Sequence, residues 1–338
     1  MRNVSLGDLG RMMQSRRSYA GLSAEVQRLS KEVTTGEKAD RGHAVRGDFT
    51  ALAAIDRARL TSDAARLALS EAATLAGTLQ TMLGMAQEAA SGIAVGLMSA
   101  TTTTGAGQVD ALTTDARQKF MTAVAAMNTQ AGDRYLLSGT ATDARPISGG
   151  QDILDALMTA IAGQVTVSGV TAAVAAWFDA PPGGGGYLDT VYGGSLTPLA
   201  PLQTGGGESV SMTLTAADPA IVDLLEGLAT AALVAEGALA GDVNGRALLT
   251  RAAGQMILSA DGPMTGIRAS LGTVEAAVAD AQLRQSAEVT ALALARAALI
   301  EADPYAAATA LEEAQARIET LYTLTARLSR LSLAEVLR

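Results

Sequence analysis

Apolar residues recur along most of this chain at steps of three and four. Leu6, Leu9 and Met13, then Leu22, Val26, Leu29 and Val33, mark one face of an N-terminal helix. "TTGEKADRGHAVRGD" (34–48), rich in Gly and charge, predicts a loop. Leu75, Leu79, Met82, Ala86, Ala89 and Ile93 then step 4, 3, 4, 3, 4, a heptad seam. It belongs to a helix over 50–98, about 70 Å long and far beyond the usual length. "SATTTTGAGQ" (99–108) breaks it, and Leu112, Ala116, Phe120, Ala123 and Met127 predict a helix folding back on the first.

Helical spacing resumes near Pro219, behind the N-cap candidate Asp218. After "GDVNGR" it runs through Leu248, Leu249, Met256, Ile257 and Leu258, passes "SADGPMTGIRASLG", and reaches Val274, Val278, Leu283, Val289, Leu292 and Leu299. "EADPYAAATAL" predicts a joint, with Asp303 as cap and Pro304 in the first helical position. The last helix carries Leu311, Ala314, Ile318, Leu321, Thr325, Leu328 and Ser332 on one seam, with Leu324 and Leu331 beside it and Arg327 and Arg330 between.

The segment 146–245 differs in kind. It holds six of the eight prolines, at 146, 181, 182, 198, 201 and 219, and 17 of the 35 glycines. Ser209, Ser211 and Thr213 alternate with Val210, Met212 and Leu214, a period of two. The expected fold is mainly α: a long antiparallel helical or coiled-coil rod from both termini, with an inserted small mixed α/β, β-rich domain. The expected division is terminal assembly helices at 1–48 and 301–338, a helical rod domain at 49–145 and 246–300, and an inserted acidic Gly/Pro-rich domain at 146–245. If that insert has its own core, it should be excisable.

Composition sharpens this picture. Aromatics make up only 3% of the chain although apolar residues make up 49%. This favours thin layers in which Ala lets helices approach closely. The net charge of −9 is uneven: residues 1–60 hold 11 bases and 7 acids, a net +4, whereas 146–245 hold 10 acids and no base. With no basic segment beyond the N-terminus and few stacking side chains, nucleic-acid binding is disfavoured. The stretch 156–178 is long enough to span a bilayer. Its Gln164, Gly163 and Gly169 predict two short helices around a break instead, so no membrane span is expected.

Catalytic chemistry finds no foothold. There is no Cys. The single His, His43, lies in the charged loop without the second His or Cys that a catalytic or metal role would need, and reads as an ordinary solvated residue. The Gly runs at 183–186 and 205–207 lack the Lys-Ser/Thr of a phosphate loop. No catalytic, cofactor-binding or metal residue is expected, and no cofactor. The apolar stripes have an ordinary reading as intramolecular core. The C-terminal stripe has only the N-terminal helix and copies of itself as sequence-matched partners. The candidate assembly interface is therefore Leu22, Val26, Leu29, Val33, Leu311, Ile318, Leu321, Leu324, Leu328 and Leu331. It is expected to order against neighbouring copies, only in the assembled state.

Several segments carry a family resemblance. "GDRYLLSGTATDARP" (132–146) resembles the strand-turn segment of flagellar hook-associated proteins. "EVQRLSKEVTTGEKAD" resembles the flagellin-superfamily helix that ends in a Ser/Thr-Gly-Lys/Arg loop. "EADPYAAATALEEAQ", "MTGIRASLGTVEAAV" and "LYTLTARLSRLSLAEVL" are similar to the superfamily's C-terminal joint and helices. In place of the Asn-rich loop of flagellins, this chain has "EKADRGHAVRGDF", which favours a hook–filament junction protein over a filament subunit. The resemblance implies a secreted, extracellular structural protein of the bacterial flagellum without enzymatic activity. It would leave by type III export with a chaperone and form a ring of its own copies between a hook-side junction protein and the flagellin filament. A filament subunit and an unrelated coiled-coil surface protein are the alternatives.

Overall fold

The computed structural model describes the backbone of residues 6–205 and 208–336, and the side chains of 10, 13–202 and 209–327. Among these are ten helices and two two-stranded hairpins, so the fold is mainly α. The chain divides into two compact units, residues 1–63 with 286–338, and residues 64–285.

The first unit contains α1 (Leu6–Thr35), the short α2 (Arg41–Ala44), the start of α3 (Thr50–Met98), the end of α9 (Val243–Ile300) and α10 (Pro304–Val336). Helix α1 stops at Gly36, whose φ of +69° is a backbone conformation that Gly adopts at no steric cost. Asp48 accepts the N–H of Thr50 at 2.9 Å where α3 begins. The expected joint is present: Asp303 accepts the N–H groups of Tyr305 at 2.9 Å and Ala306 at 3.2 Å, and Pro304 opens α10. His43 is an exposed residue of α2.

The second unit holds the rest of α3 and α9 together with α4 (Ala106–Met127), β1 (Gln130–Ala131), β2 (Arg134–Tyr135), α5 (Gly150–Ala160), α6 (Val167–Phe178), α7 (Tyr187–Thr190), β3 (Leu202–Gly205), β4 (Glu208–Val210) and α8 (Pro219–Ala235). The seam Leu79, Met82, Ala86, Ala89 and Ile93 is buried, as are Ala116, Phe120, Ala123 and Met127 of α4. Close approach of helices is visible where Gly254 of α9 faces α3. A Cβ there would lie 2.8 Å from the Ala94 carbonyl oxygen and 2.9 Å from the Met98 nitrogen. Pro263 lies inside α9 and deprives the Ser259 carbonyl of its helical donor. No helix among the described residues is long and apolar enough to cross a membrane.

Among the described residues of 146–245 helix prevails, and strand is limited to β3–β4 and an isolated bridge between Ile147 and Tyr192. The reason lies in α8, "PAIVDLLEGLATAALVA", which Asp218 caps by accepting the N–H of Ala220 at 3.1 Å. Every residue from Ala220 to Val234 except Asp223 is buried. A helix apolar all round must be enclosed, and α8 packs on α4, α5 and α6. Its side chains share one continuous core with α3, α4 and α9. The buried side chains of 146–245 thus belong to the same core as α3, α4 and α9, which argues against excising the segment. Its Gly- and Pro-rich loops are tied to the same body. Tyr187 is packed among Trp177, Phe178 and Tyr192, and its hydroxyl donates to the Ala216 carbonyl at 2.9 Å.

The β1–β2 hairpin turns on Gly132, φ +62°, with Ala131 opposite Arg134. The strand-turn segment then runs beside 191–197, with Ser195 N–H donating to Ser138 O at 2.8 Å and Thr140 N–H to Thr197 O at 3.0 Å. Gly139 sits between these bonds with φ +58°, and a Cβ there would land on the carbonyl oxygens of Ser195 and Thr197. Gly139→Ala should therefore cost about 2–4 kcal/mol, since both the left-handed backbone and the space exclude it. Urea denaturation of the full chain measures this.

Burial without a partner marks Glu226 on α8, which is 9% exposed. Desolvation first, then the charges of Asp179 and Asp223, push its carboxyl up to about 7. A raised carboxylate stabilises the fold when protonated. The contribution is full below the unfolded value near 4.5 and is lost as pH rises through about 7. Glu226→Gln should leave stability unchanged near pH 4 and raise it at pH 8 by on the order of 1–2 kcal/mol, the groove beside it being open to water. Melting temperatures across pH 4–8 provide the check.

Candidate assembly interface

The terminal helices pair within one chain. Tyr19 of α1 meets Tyr322 of α10 edge to face, ring centroids 5.5 Å apart, and the Tyr322 hydroxyl donates to that of Tyr19 at 2.9 Å. At the other end Gly36 meets Ala302, so the pair is antiparallel.

That other end is fixed by charge and backbone together. Lys38 N–H donates to Ile300 O at 2.7 Å, and Ala302 N–H donates to Gly36 O at 2.9 Å. Glu37 and Glu301 form an antiparallel bridge. Glu32, buried on α1, accepts the N–H of Ala39 at 3.0 Å and an Arg28 bond at 3.0 Å. Arg296 of α9 donates to Glu37 and, at 3.0 Å, to Asp56 of α3. Its guanidinium holds the Glu37 carboxyl below the usual carboxylate range. The guanidinium is half-buried, and its partners tie the loop after α1 to the α9–α10 joint.

The candidate residues separate along this pair. Leu29 is buried, along with Ala307 and Ala314 of α10. Leu22, Val26, Leu311, Ile318 and Leu321 are half-buried. Val33 and Leu324 are exposed, at 39% and 52%. Leu328 and Leu331 lie outside the described side chains. Within the single chain α1 and α10 lie side by side. The reason is the joint: the backbone bridge and Arg296 bring the helices together at one end.

Two helices enclose only the side that each presents to the other. Met13, Tyr19, Val33, Tyr305, Tyr322 and Leu324 stay exposed in this unit. Next to the tyrosine pair lies an apolar groove of about 220 Å³ between Arg16, Tyr19, Leu321 and Thr325. The tyrosine pair was not foreseen, although Tyr19 and Tyr322 were visible as two of the chain's six tyrosines, one near each end. Among the described residues no group of His, Cys, Asp and Glu side chains is arranged to hold a metal ion.

Residues 255–337 match the family of the bacterial flagellin C-terminal helical region. The matched stretch spans most of α9 and all of α10. A solved structure described as a flagellar hook-associated protein from Vibrio parahaemolyticus aligns over 71% of this chain and 94% of that one, with 13% identity and a TM-score of 0.39. That superposition is too loose to establish a common fold. No curated protein sequence matches the chain.

Proposed function

We propose that this chain is a structural, non-enzymatic component of the bacterial flagellum that self-assembles through α1 and α10, as a junction protein joining hook to filament. The observation that carries the reading is the flagellin-type C-terminal region at 255–337. It coincides with the helix whose apolar side is only partly covered within the chain. Self-association is the natural use of such a face, because neighbouring copies supply the surface that two helices lack. On this reading the protein is secreted through the flagellar type III apparatus with a chaperone. Its partners are its own copies in a ring, a hook-side junction protein and flagellin.

The charged, Asn-poor loop 37–49 favours the junction over the filament. The match to a flagellin region keeps a filament subunit as the second reading. Gene deletion separates them. A junction protein's loss leaves hooks without filaments and filament protein in the medium, and sheared flagella of the parent strain carry it at ring stoichiometry. Thousands of copies along each filament would establish the second reading, and absence from flagella would overturn both.

A further inference from the structure

The second unit carries a groove of about 610 Å³ between α6, α8 and α9. Glu226 lies on its floor, 9% exposed, and no described hydrogen-bond donor reaches its carboxyl. A carboxylate that is largely desolvated and has neither a donor nor a counter-charge is costly, and a cation would relieve it. The walls are short and apolar, made by Ala175 of α6 and by Ala252 and Met256 of α9. The charges that push on Glu226 are negative: Asp179 from the end of α6, then Asp223 from its own helix. From α9 the groove receives only the neutral Gln255 and Ser259. No lysine or arginine exists anywhere in 146–245 to fill it.

We propose that this groove is a binding site for an alkyl guanidinium or alkyl ammonium cation. The aliphatic stem would lie along the alanine and methionine walls, and the charged head would reach Glu226, with Asp223 at the rim. Long cationic side chains bury their stems against apolar surface in this way while the charge finds a partner. A divalent metal ion fits less well, because Asp179, Asp223 and Glu226 are not grouped as ligands of one ion. The groove is lined by residues of the second unit alone and does not depend on the flagellar reading.

The test uses the full-length chain and its melting temperature. Agmatine at millimolar concentration, compared with sodium chloride at equal ionic strength, should raise it by about 1–2 °C at pH 8. The rise should be smaller at pH 5.5, where Glu226 is protonated, because its carboxyl sits up near about 7. Glu226→Gln should abolish the shift, and so should Ala252→Leu, which fills the wall and leaves the charge in place. Nα-acetyl-arginine methylamide distinguishes the sources of the cation. A matching shift assigns the groove to a protein side chain, and a shift with agmatine alone assigns it to free amines. No shift with either probe, or a shift retained in Glu226→Gln, would overturn the proposal.

Discussion

Deleting residues 146–245 should abolish cooperative folding of the second unit. The deletion removes α8, whose Ile221, Leu224, Leu225, Leu228 and Leu233 are fully or almost fully buried. At roughly 1.5–3 kcal/mol for each buried side chain, these five contribute on the order of 8–15 kcal/mol. That matches the whole net stability of a typical domain, about 5–15 kcal/mol. The deletion also uncovers Phe120 and Met127 of α4 and Leu97 of α3, which share the same core. A single substitution, Leu225→Asp, should cost more than about 4 kcal/mol, since it buries a carboxylate in an apolar layer. Thermal unfolding followed by circular dichroism is the measurement. The deleted chain should show a broad transition without a fixed midpoint; a sharp transition at the parent temperature would mean that the segment has a separate core after all.

What the sequence showed, and what it hid, follows from how each helix is buried. Helix α3 covers one face, so its apolar positions repeat, and the pattern marks its span. Caps at Asp218 and Asp303 are local chemistry and were equally plain. Helix α8 is covered on all sides, so "AIVDLLEGLATAALV" carries no periodicity that could say what encloses it. The Gly and Pro content of its surroundings marks turns correctly, but turns do not reveal whether a segment owns its core. In the candidate interface, spacing picked out the seam residues. It could not tell Leu29, buried against the partner helix, from Val33 four residues on, which is exposed. Periodicity places side chains on a face and is silent on how far the partner extends. Glu226 was one acid among ten in its segment, and only the apolar run around it hinted at burial.

Replacing Val33 and Leu324 together by Glu should leave the chain folded and prevent its assembly. Both side chains are exposed in the single chain, so the change should alter stability by no more than about 0.5 kcal/mol each. In an assembly built on this face they become buried. Each then forfeits the part of its apolar burial still to be made, roughly 0.5–1.5 kcal/mol, and adds a carboxylate that loses its water. The two together should weaken association by at least about 100-fold. Substituting Leu29, by contrast, should damage the helix pair itself, because that side chain is already buried within the chain.

The most direct measurement is sedimentation of purified chain at rising concentration, parent against the Val33→Glu, Leu324→Glu variant, with circular dichroism run on both. Equal helix content and melting temperature are expected, with large species from the parent and only monomer from the variant at every concentration tested. Large species from the variant in equal amount would contradict the claim that the exposed side of α1 and α10 is where copies of this chain meet.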